Sequence, residues 1–384
     1  MVALVVVLAV LDATWVYLAL CRGFFWSTSV RLAPERSLDH WPSVAVVVPA
    51  RDEETVLRLT LPRLLAMDYP GEAEVVLVDD RSGDGTGVLT RALAADPSAR
   101  VPLTVVAGTE PAPGWMGKVW AMEQGRLAAG AVDYLLLTDA DIDHPPHSLS
   151  RLVGRAEANG LDMVSLMAKL RADNRWERLV VPAFVYFFAQ LYPFSWVNRR
   201  TSRTAAAAGG CILVRRAALE RADAFESVRG AVIDDVSLGR ALKSSGSTLW
   251  LGFADDVTSI RPYDRLADLW HMVARSAFTQ LRYSATLLAG TVLGLLFTFL
   301  LPVGAVVGGA LAGDLLVVLM GAGAWLLMAL TYVPMLRYYR VAPLSAVLLP
   351  FTASLYAAMT VDSARRHWFG SGVAWKGRSY AVSP

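Results

Sequence analysis

Three aspartates, Asp139, Asp141 and Asp143, directly follow the apolar stretch at 134–137. An uninterrupted apolar run of this kind predicts a strand that is buried on both faces. Two carboxylates about 5 Å apart repel each other by about 3 kcal/mol at an effective dielectric constant near 20. The cluster is therefore costly unless a divalent cation or hydrogen-bond donors lie against it, or unless it stands in a fully solvated loop. The other polar residues of the chain decide between these alternatives.

Charged residues also follow two earlier predicted strands. The strand at 43–50 leads into Asp52 and Glu53, and the strand at 74–80 ends in Asp80. Helical stretches separate these strands, which indicates a mostly parallel sheet covered by helices. In such sheets ligands bind beyond the carboxyl ends of the strands. Three acidic strand ends on one rim therefore indicate a binding site.

Several kinds of site lack their motifs in this sequence. No G-x-G-x-x-G follows the first strand and no G-x-x-x-x-G-K-[ST] occurs, which argues against dinucleotide and P-loop sites. A calcium loop would need Gly and a closing Glu where His144 and Ser150 stand. A serine nucleophile has no G-x-S-x-G turn. The remaining reading is Mg²⁺ or Mn²⁺ beside a nucleotide diphosphate, because these ions take one or two carboxylates and complete their shells with phosphate oxygens and water.

The composition indicates a membrane protein. The chain has 384 residues, of which 55% are hydrophobic, and its mean hydropathy is +0.42. The net charge of +2 gives no indication of a nucleic-acid partner. Two cysteines, Cys21 and Cys211, argue against a disulfide framework and favour a reducing compartment.

The apolar residues are concentrated at the two ends of the chain. Residues 2–20 are long enough to cross a bilayer, so we expect an N-terminal anchor at 1–24. Arg22, Arg31 and Arg36 follow it, which places the next segment in the cytoplasm by the positive-inside rule. We expect further transmembrane helices at 284–364, with a break near Gly313 and Asp314, and a basic tail at 365–384. Pro343 and Pro350 leave a re-entrant or interfacial segment open for the last of these helices.

Five motifs in the middle of the chain together resemble an inverting family 2 glycosyltransferase. They are, in order, "PARDEE", "VDDRSGDGT", "GWMGK", "TDAD" and "IDDVSLGRALKSSG". The resemblance implies an α/β fold of the GT-A type with a mixed, mostly parallel sheet, in a cytoplasmic catalytic domain at 40–283. The flanking apolar segments, with "AAAAGGCILVRR", "MVARSAFTQLRYS" and "WKGRSY", are more narrowly similar to membrane glycosyltransferases associated with hopanoid biosynthesis. That similarity implies the bacterial inner membrane, with the catalytic domain facing the cytoplasm.

The resemblance also implies residue roles on the donor side. Asp141, with Asp139, matches the ligands of a divalent cation, either Mg²⁺ or Mn²⁺, and Asp235 matches the catalytic base. The family usually has Asn where Asp52 stands, which is a departure from the motif. The residues that match donor-binding positions are Pro49, Ala50, Arg51, Glu53, Asp80, Lys118, Asp139 and Ala140.

On the acceptor side the resemblance implies a second set of residues. The "QLRY" stretch loosely resembles the Gln-x-x-Arg-Trp signature of related enzymes, with Tyr283 in place of Trp. The predicted acceptor-side residues are Gly209, Gly210, Asp234, Gln280 and Arg282.

An aromatic and nearly uncharged segment at 179–197 stands inside the catalytic part. It is either an interfacial element at the membrane surface or a buried core helix. The interfacial reading brings the site to the bilayer and implies a lipid acceptor.

We therefore expect transfer of a sugar from a nucleotide-diphosphate sugar, with UDP as the expected nucleotide, to a lipid hydroxyl, which the resemblance extends to a hopanoid. A polyprenyl-phosphate acceptor is one alternative, and a non-catalytic nucleotide-binding membrane scaffold is another.

Overall fold

The structure is a computed structural model that describes residues 2–32, 38–370, 373–375 and 378–380. Arg36, of the predicted basic flank, and Lys376, of the predicted tail, lie outside the described residues. So do 371–372 and 381–384 of that tail.

Ten strands are described, eight of which form the main sheet. The order of that sheet is β3-β2-β1-β4-β7-β6-β8-β5, and β9 and β10 form a separate pair. The strands are β1 (Val44–Ala50), β2 (Ala73–Asp79), β3 (Leu103–Ala107), β4 (Tyr134–Thr138), β5 (Ile142–Asp143), β6 (Met163–Lys169), β7 (Cys211–Arg215), β8 (Leu249–Ser259), β9 (Val373–Trp375) and β10 (Arg378–Tyr380).

The main sheet is mixed and mostly parallel, as predicted. Strand β1 pairs in parallel with β2 and β4, β2 with β3, and β6 with β8. Strand β7 runs antiparallel between β4 and β6, and β5 runs antiparallel to β8. Because only β7 and β5 are reversed, the carboxyl ends of the other six strands lie at one rim, together with the first residues of β7.

Sixteen α-helices are described, together with a π-helical turn at Leu296–Leu300 and a 3-10 helix at Pro343–Leu348. They are α1 (Val2–Leu20), α2 (Glu54–Leu65), α3 (Thr86–Ala94), α4 (Gly117–Ala128), α5 (Ser148–Asn159), α6 (Arg175–Leu191), α7 (Phe194–Val197), α8 (Arg216–Arg221), α9 (Ala224–Ser227), α10 (Asp234–Ser244), α11 (Leu266–Ala274), α12 (Ala277–Gln280), α13 (Ala285–Leu295), α14 (Leu301–Ala312), α15 (Leu315–Tyr338) and α16 (Leu349–Phe369).

The sequence of β1 explains the two layers of helices. All seven residues of this strand are buried. Val44, Val46 and Val48 belong to the core formed with α2 and α5, whereas Ala45 and Val47 belong to the core formed with α4 and α6. Successive side chains of a strand point to opposite faces, so a continuous apolar run requires cover on both sides. A strand that is covered on both faces can expose functional side chains only at its end.

Helix α4 approaches the sheet closely at Gly125. A Cβ atom at this position would lie 2.4 Å from a methyl group of Val47. Glycine therefore sets the spacing that brings the first residues of α4, including Lys118, to the rim of the sheet.

Helix α6 contains the apolar segment at 179–197 together with α7, and it packs on both the catalytic part and the apolar helices. The Tyr186 hydroxyl hydrogen-bonds the Thr331 hydroxyl of α15 (2.8 Å), and the Tyr356 hydroxyl of α16 donates to the Val180 carbonyl (3.1 Å). Val180 and Tyr186 are fully buried. The segment is therefore a buried core helix that also packs on the apolar helices, and a position at the membrane surface stays a prediction.

Five segments are long and apolar enough to cross a membrane, judged by length and composition among the described residues. They are Val2–Leu20, Arg175–Val197, Ala285–Ala312, Leu315–Tyr338 and Pro343–Phe369. The predicted break after α14 is present, with Gly313 in the left-handed conformation (φ +67°) and Asp314 capping α15 through the Val317 N–H (3.2 Å).

The last apolar segment has both ends beside the catalytic part. Just before it, the Tyr338 hydroxyl donates to the Ala254 carbonyl of β8 (2.7 Å). At its far end the Trp270 indole of α11 donates to Asp362 (2.8 Å). Between them, the Trp325 indole donates to the Val347 carbonyl (3.3 Å), halfway along α15. After α15 the chain therefore runs back along this helix as far as its middle, and α16 then leads it back toward the catalytic part.

Candidate active site

A cleft of about 510 Å³ lies at the rim where the six parallel strands end. Asp139 and Asp141, from the end of β4, line it together with Asp234 and Asp235, from the start of α10. The structure thus brings the two predicted acidic clusters into one pocket. The remaining predicted residues in its wall are Pro49, Glu53, Lys118, Ala140, Gly209 and Gly210.

Lys118 links the two acidic clusters. Its ammonium group lies 2.9 Å from Asp139 Oδ1 and 3.1 Å from Asp234 Oδ2. Burial alone would lower the pKa of Lys118, but Asp139 and Asp234 outweigh it and the pKa is raised. For Asp139 the balance is reversed, because burial raises its pKa more than Lys118 lowers it. Lys118 is therefore a fixed positive charge between carboxylates.

Asp235 is held by backbone N–H groups. Its Oδ2 accepts from Gly209 (2.8 Å) and its Oδ1 accepts from Val236 (2.7 Å). A Cβ atom on Gly209 would lie 3.3 Å from Oδ2 and 3.5 Å from the Lys118 ammonium nitrogen, so glycine allows this close approach. Burial, and then the charge of Asp234, raises the pKa of Asp235 to about 6. The carboxylate is positioned and is mostly ionised at neutral pH.

Asp141 has partners that sequence analysis did not include. Ser259 Oγ donates to Asp141 Oδ2 (2.6 Å), and Arg261 Nε lies 3.4 Å from the same oxygen. Arg261 also donates to Glu53 (2.7 Å). Ser259 is the last residue of β8, and Arg261 comes two residues later. Strand β8 ends at the same rim of the sheet as β1 and β4. The available signal was "SIRP", which begins with the last residue of this strand and contains both polar partners.

The loop after Arg261 is attached to α6 through a buried glutamate. Glu177 is fully buried, and it accepts the Tyr263 N–H (2.9 Å) and those of Asp173 (2.8 Å) and Asn174 (3.3 Å). Asn174 in turn caps α6 by accepting from the Glu177 N–H (3.0 Å). Sequence analysis did not single out Glu177.

Two neighbours of the Asp139–Asp141 pair have structural partners. His144 is buried between Thr138 and Ser148, and burial lowers its pKa to about 4. Thr138 donates to the Gly210 carbonyl (2.8 Å), so the neutral His144 ring donates its Nε2–H to Thr138. Asp143 pairs with Arg63 on α2. Neither residue lines the cleft.

The remaining donor-side residues lie next to the cleft. Arg51 donates to the carbonyl oxygens of Asp80 (2.7 Å) and Arg81 (3.1 Å), and Asp80 is fully buried. The Asp80 N–H donates to the Ala50 carbonyl (2.8 Å).

Asp52, where the family usually has Asn, accepts the N–H of Gly83 (2.7 Å) and so orders the turn after β2.

The predicted acceptor-side residues are divided. Gly209, Gly210 and Asp234 line the cleft. Gln280 and Arg282 are not among its lining residues. The Gln280 amide donates to the Tyr192 hydroxyl (2.6 Å), and Arg282 has a left-handed backbone (φ +52°).

Helices α6 and α11 instead form the outer wall of the cleft. Phe184 and Phe188 of α6 and Met272 of α11 make it apolar, and the exposed His271 and Arg275 stand at its edge. Arg275 has no ion pair among the described residues. This wall therefore combines an apolar surface with available positive charge.

The carboxylate oxygens at the rim fit a hard divalent cation that is also coordinated by phosphate oxygens of a bound ligand. Among the described residues, no group of three or more His, Cys, Asp or Glu side chains is placed to hold a metal. Asp139 and Asp141 supply two carboxylate groups. Mg²⁺ usually takes one or two protein carboxylates when phosphate oxygens complete its coordination shell.

Comparisons with known proteins concern the family and the fold of this chain. A family model described as "Glycosyltransferase like family 2" matches residues 42–279. An undecaprenyl-phosphate 4-deoxy-4-formamido-L-arabinose transferase of Pectobacterium carotovorum is 31% identical over 145 residues, which are 37% of this chain and 42% of that protein. The protein of the same name in Pseudomonas aeruginosa is 33% identical over 138 residues, 35% of this chain and 38% of that protein. The chain thus spans less than half the length of these relatives.

Among solved structures, the mannosyltransferase PcManGT from Pyrobaculum calidifontis, in complex with GDP-Man and Mn²⁺, is similar with a TM-score of 0.56 and 20% identity. The similarity covers 95% of this chain and 99% of that one. It confirms the predicted GT-A-like fold. Because the family model covers more than half of the sequence, the chain belongs to the glycosyltransferase-like family 2.

Proposed function

We propose that this protein transfers a sugar from a nucleotide-diphosphate sugar to a polyprenyl phosphate. The named relatives act on undecaprenyl phosphate, which favours this acceptor over the lipid hydroxyl, hopanoid or other, that sequence analysis placed first. The proposal retains the expected nucleotide-sugar donor, with UDP as the first nucleotide to test.

The observation that carries the proposal is the outer wall of the cleft. A polyprenyl phosphate needs an apolar surface for its chain and a cation for its head group. Phe184, Phe188 and Met272 supply the surface, and Arg275 and His271 supply groups that bind phosphate. A lipid hydroxyl would need the apolar surface but no cation.

The residues of the cleft have separate roles in the proposed reaction. An oxygen of the acceptor phosphate attacks the anomeric carbon while the bond from that carbon to the diphosphate breaks, which inverts the configuration. Lys118 stabilises the negative charge that develops on the leaving nucleoside diphosphate. Gly209 and Gly210 let the reacting groups approach the backbone closely. The acceptor phosphate is already ionised at neutral pH and needs no strong base.

A divalent cation belongs to the proposal as well. Asp141, with Asp139, would hold Mg²⁺ or Mn²⁺, which when bound would neutralise the leaving diphosphate. A chelator should abolish turnover, and either ion should restore it.

The same proposal places the protein in the bacterial inner membrane with the catalytic domain at 40–283 in the cytoplasm. The anchor at 1–24 and the helices at 284–364 hold the domain at the bilayer. Arg22, at the end of α1, donates to the Gln190 carbonyl of α6 (3.2 Å), so a basic flank of the anchor lies against the catalytic part. We infer that segment Pro343–Phe369 is re-entrant, and the contacts of Tyr338, just before it, and of Asp362, near its end, with the catalytic part support this.

A lipid hydroxyl remains a second candidate because of Asp235. Its carboxylate is fixed beside Lys118, and its pKa of about 6 suits a general base at neutral pH. Removing a general base costs about 10²- to 10⁴-fold in rate, whereas a phosphate acceptor loses little.

The test is turnover by purified wild type and by the Asp235→Asn variant. Each protein receives UDP-sugars with undecaprenyl phosphate or with a hopanoid alcohol, and mass spectrometry identifies the lipid products. We expect glycosylated undecaprenyl phosphate from both proteins, with rates within about threefold of each other. A product from the alcohol alone, lost in the variant, would overturn the proposal in favour of the second candidate. Nucleotide binding without any lipid product would indicate the non-catalytic scaffold.

A further inference from the structure

A second cavity, of about 430 Å³, lies on the other side of α6 from the cleft. Phe184 and Phe188 line the cleft, whereas Arg175 and Leu179 line this cavity. At 100° per residue, Arg175 and Phe184 point in opposite directions from the helix axis. The cavity is therefore separate from the catalytic pocket. Its other walls are the last turns of α15, the 3-10 helix Pro343–Leu348 and the start of α16.

The mouth of the cavity is positively charged. Arg175, Arg178 and Arg340 line it, and all three side chains belong to exposed residues. Arg175 lies over the ring of Trp176, 5.0 Å from its centre, which orients its guanidinium group. No carboxylate lines the cavity, and none of the three arginines has an ion pair among the described residues. Three neighbouring guanidinium groups without a carboxylate partner favour an anionic ligand at this mouth.

The inner part of the cavity is apolar and continues into an apolar surface. Leu179, Tyr332 and Leu336 form its wall. Leu348, which also lines the cavity, is 47% exposed, and Leu344 in the same 3-10 helix is 79% exposed. Both leucines belong to the segment that turns back halfway along α15. A ligand that suits both regions has an anionic head joined to a hydrocarbon chain.

We propose that this cavity binds one anionic phospholipid of the surrounding bilayer. The three arginines bind its phosphate group, and an acyl chain lies between α15 and the 3-10 helix, against the apolar wall. The lipid fixes the height of α6 relative to the membrane. The site goes beyond the proposed function, because it takes no part in sugar transfer and lies outside the cleft.

The test is native mass spectrometry of the full-length protein in detergent, titrated with phosphatidylglycerol or with phosphatidylcholine. We expect wild type to retain one phosphatidylglycerol with clear preference over phosphatidylcholine. The triple variant Arg175→Gln, Arg178→Gln, Arg340→Gln should bind this lipid about 100-fold more weakly, because each basic group near a membrane surface contributes about fivefold. A matched variant with Arg100, Arg216 and Arg221 changed to Gln on the catalytic part should bind like wild type.

A second variant tests the cavity while keeping its charges. Ser345→Trp places a bulky side chain in the lining and should exclude the lipid as effectively as the triple variant does. Equal binding of the two lipids, or unchanged binding in both variants, would overturn the proposal. Displacement of phosphatidylglycerol by millimolar inorganic phosphate would also overturn it, because the site would then select free phosphate. Sugar transfer in detergent without added phospholipid is measured in parallel, so failure of this site is distinguishable from failure of the proposed function.

Discussion

Replacement of Lys118 by Met is the most direct test of the charge arrangement in the cleft. The lysine lies 2.9 Å from Asp139 and 3.1 Å from Asp234. Each contact corresponds to about 5 kcal/mol of attraction at an effective dielectric constant of 20, before the cost of desolvation is subtracted. Removing one partner from a buried ion pair costs about 3–5 kcal/mol. We expect about 3 kcal/mol here, because the Asp139 side chain is 34% exposed and water screens it in part.

The variant should lose both stability and activity. The loss of stability lowers the thermal midpoint by several degrees. The loss of the charge opposite the leaving diphosphate should lower kcat by about 10²- to 10³-fold. Turnover with a UDP-sugar and undecaprenyl phosphate, together with a thermal-shift measurement in detergent, gives both quantities.

A second lysine provides the control. Lys243 is also structural, since its ammonium donates to the carbonyl oxygens of Val197 (2.7 Å) and Thr204 (2.8 Å), but it does not line the cleft. The Lys243→Met variant should therefore lower the thermal midpoint and leave kcat near that of wild type. If Lys118→Met kept kcat within threefold of wild type, the assignment of Lys118 to the diphosphate would be wrong.

Three further outcomes follow from the site. Glu177→Ala leaves three backbone N–H groups without their acceptor, including that of Tyr263, and should lower the thermal midpoint by far more than Glu220→Ala at an exposed position. Because the pKa of Asp235 is raised to about 6 on folding, the folded protein binds this proton more tightly than the unfolded chain, so ionisation costs stability as the pH rises from 4 to 6. The thermal midpoint of Asp235→Asn relative to wild type should therefore be higher at pH 7.5 than at pH 4.5, and a flat difference would contradict the raised pKa. Arg275→Gln should increase KM for undecaprenyl phosphate about tenfold and leave KM for the donor unchanged, and equal changes in both would argue against its contact with the acceptor.

The parts of the fold that local patterns determine were predictable from the sequence. The apolar runs of β1 and β4 leave no polar face, so they indicate strands covered on both sides, and their ends mark the rim. The turn chemistry around Gly313 likewise indicates the break between α14 and α15. These features depend on neighbouring residues only.

The contacts that depend on strand order were not predictable in this way. Arg261 meets Glu53 across 208 positions of the chain, and this contact exists only because β8 lies in the same sheet as β1 and ends at the same rim. The acceptor-side role of Gln280 depends on a loose motif and stays a prediction. The chain turns at Arg282 and Tyr283, both with positive φ, and the Gln280 amide donates to the Tyr192 hydroxyl. A short motif does not specify which wall its side chains reach.

The bridge that Arg261 makes between Glu53 and Asp141 bears on the stability of the protein without a bound metal ion. Its guanidinium supplies one positive charge between the two carboxylates, so part of their repulsion is offset without an external ion. Under the proposed metal dependence, removal of the ion would then stop turnover with little loss of folded protein. Resupply of the ion would then restore turnover by the same folded molecules.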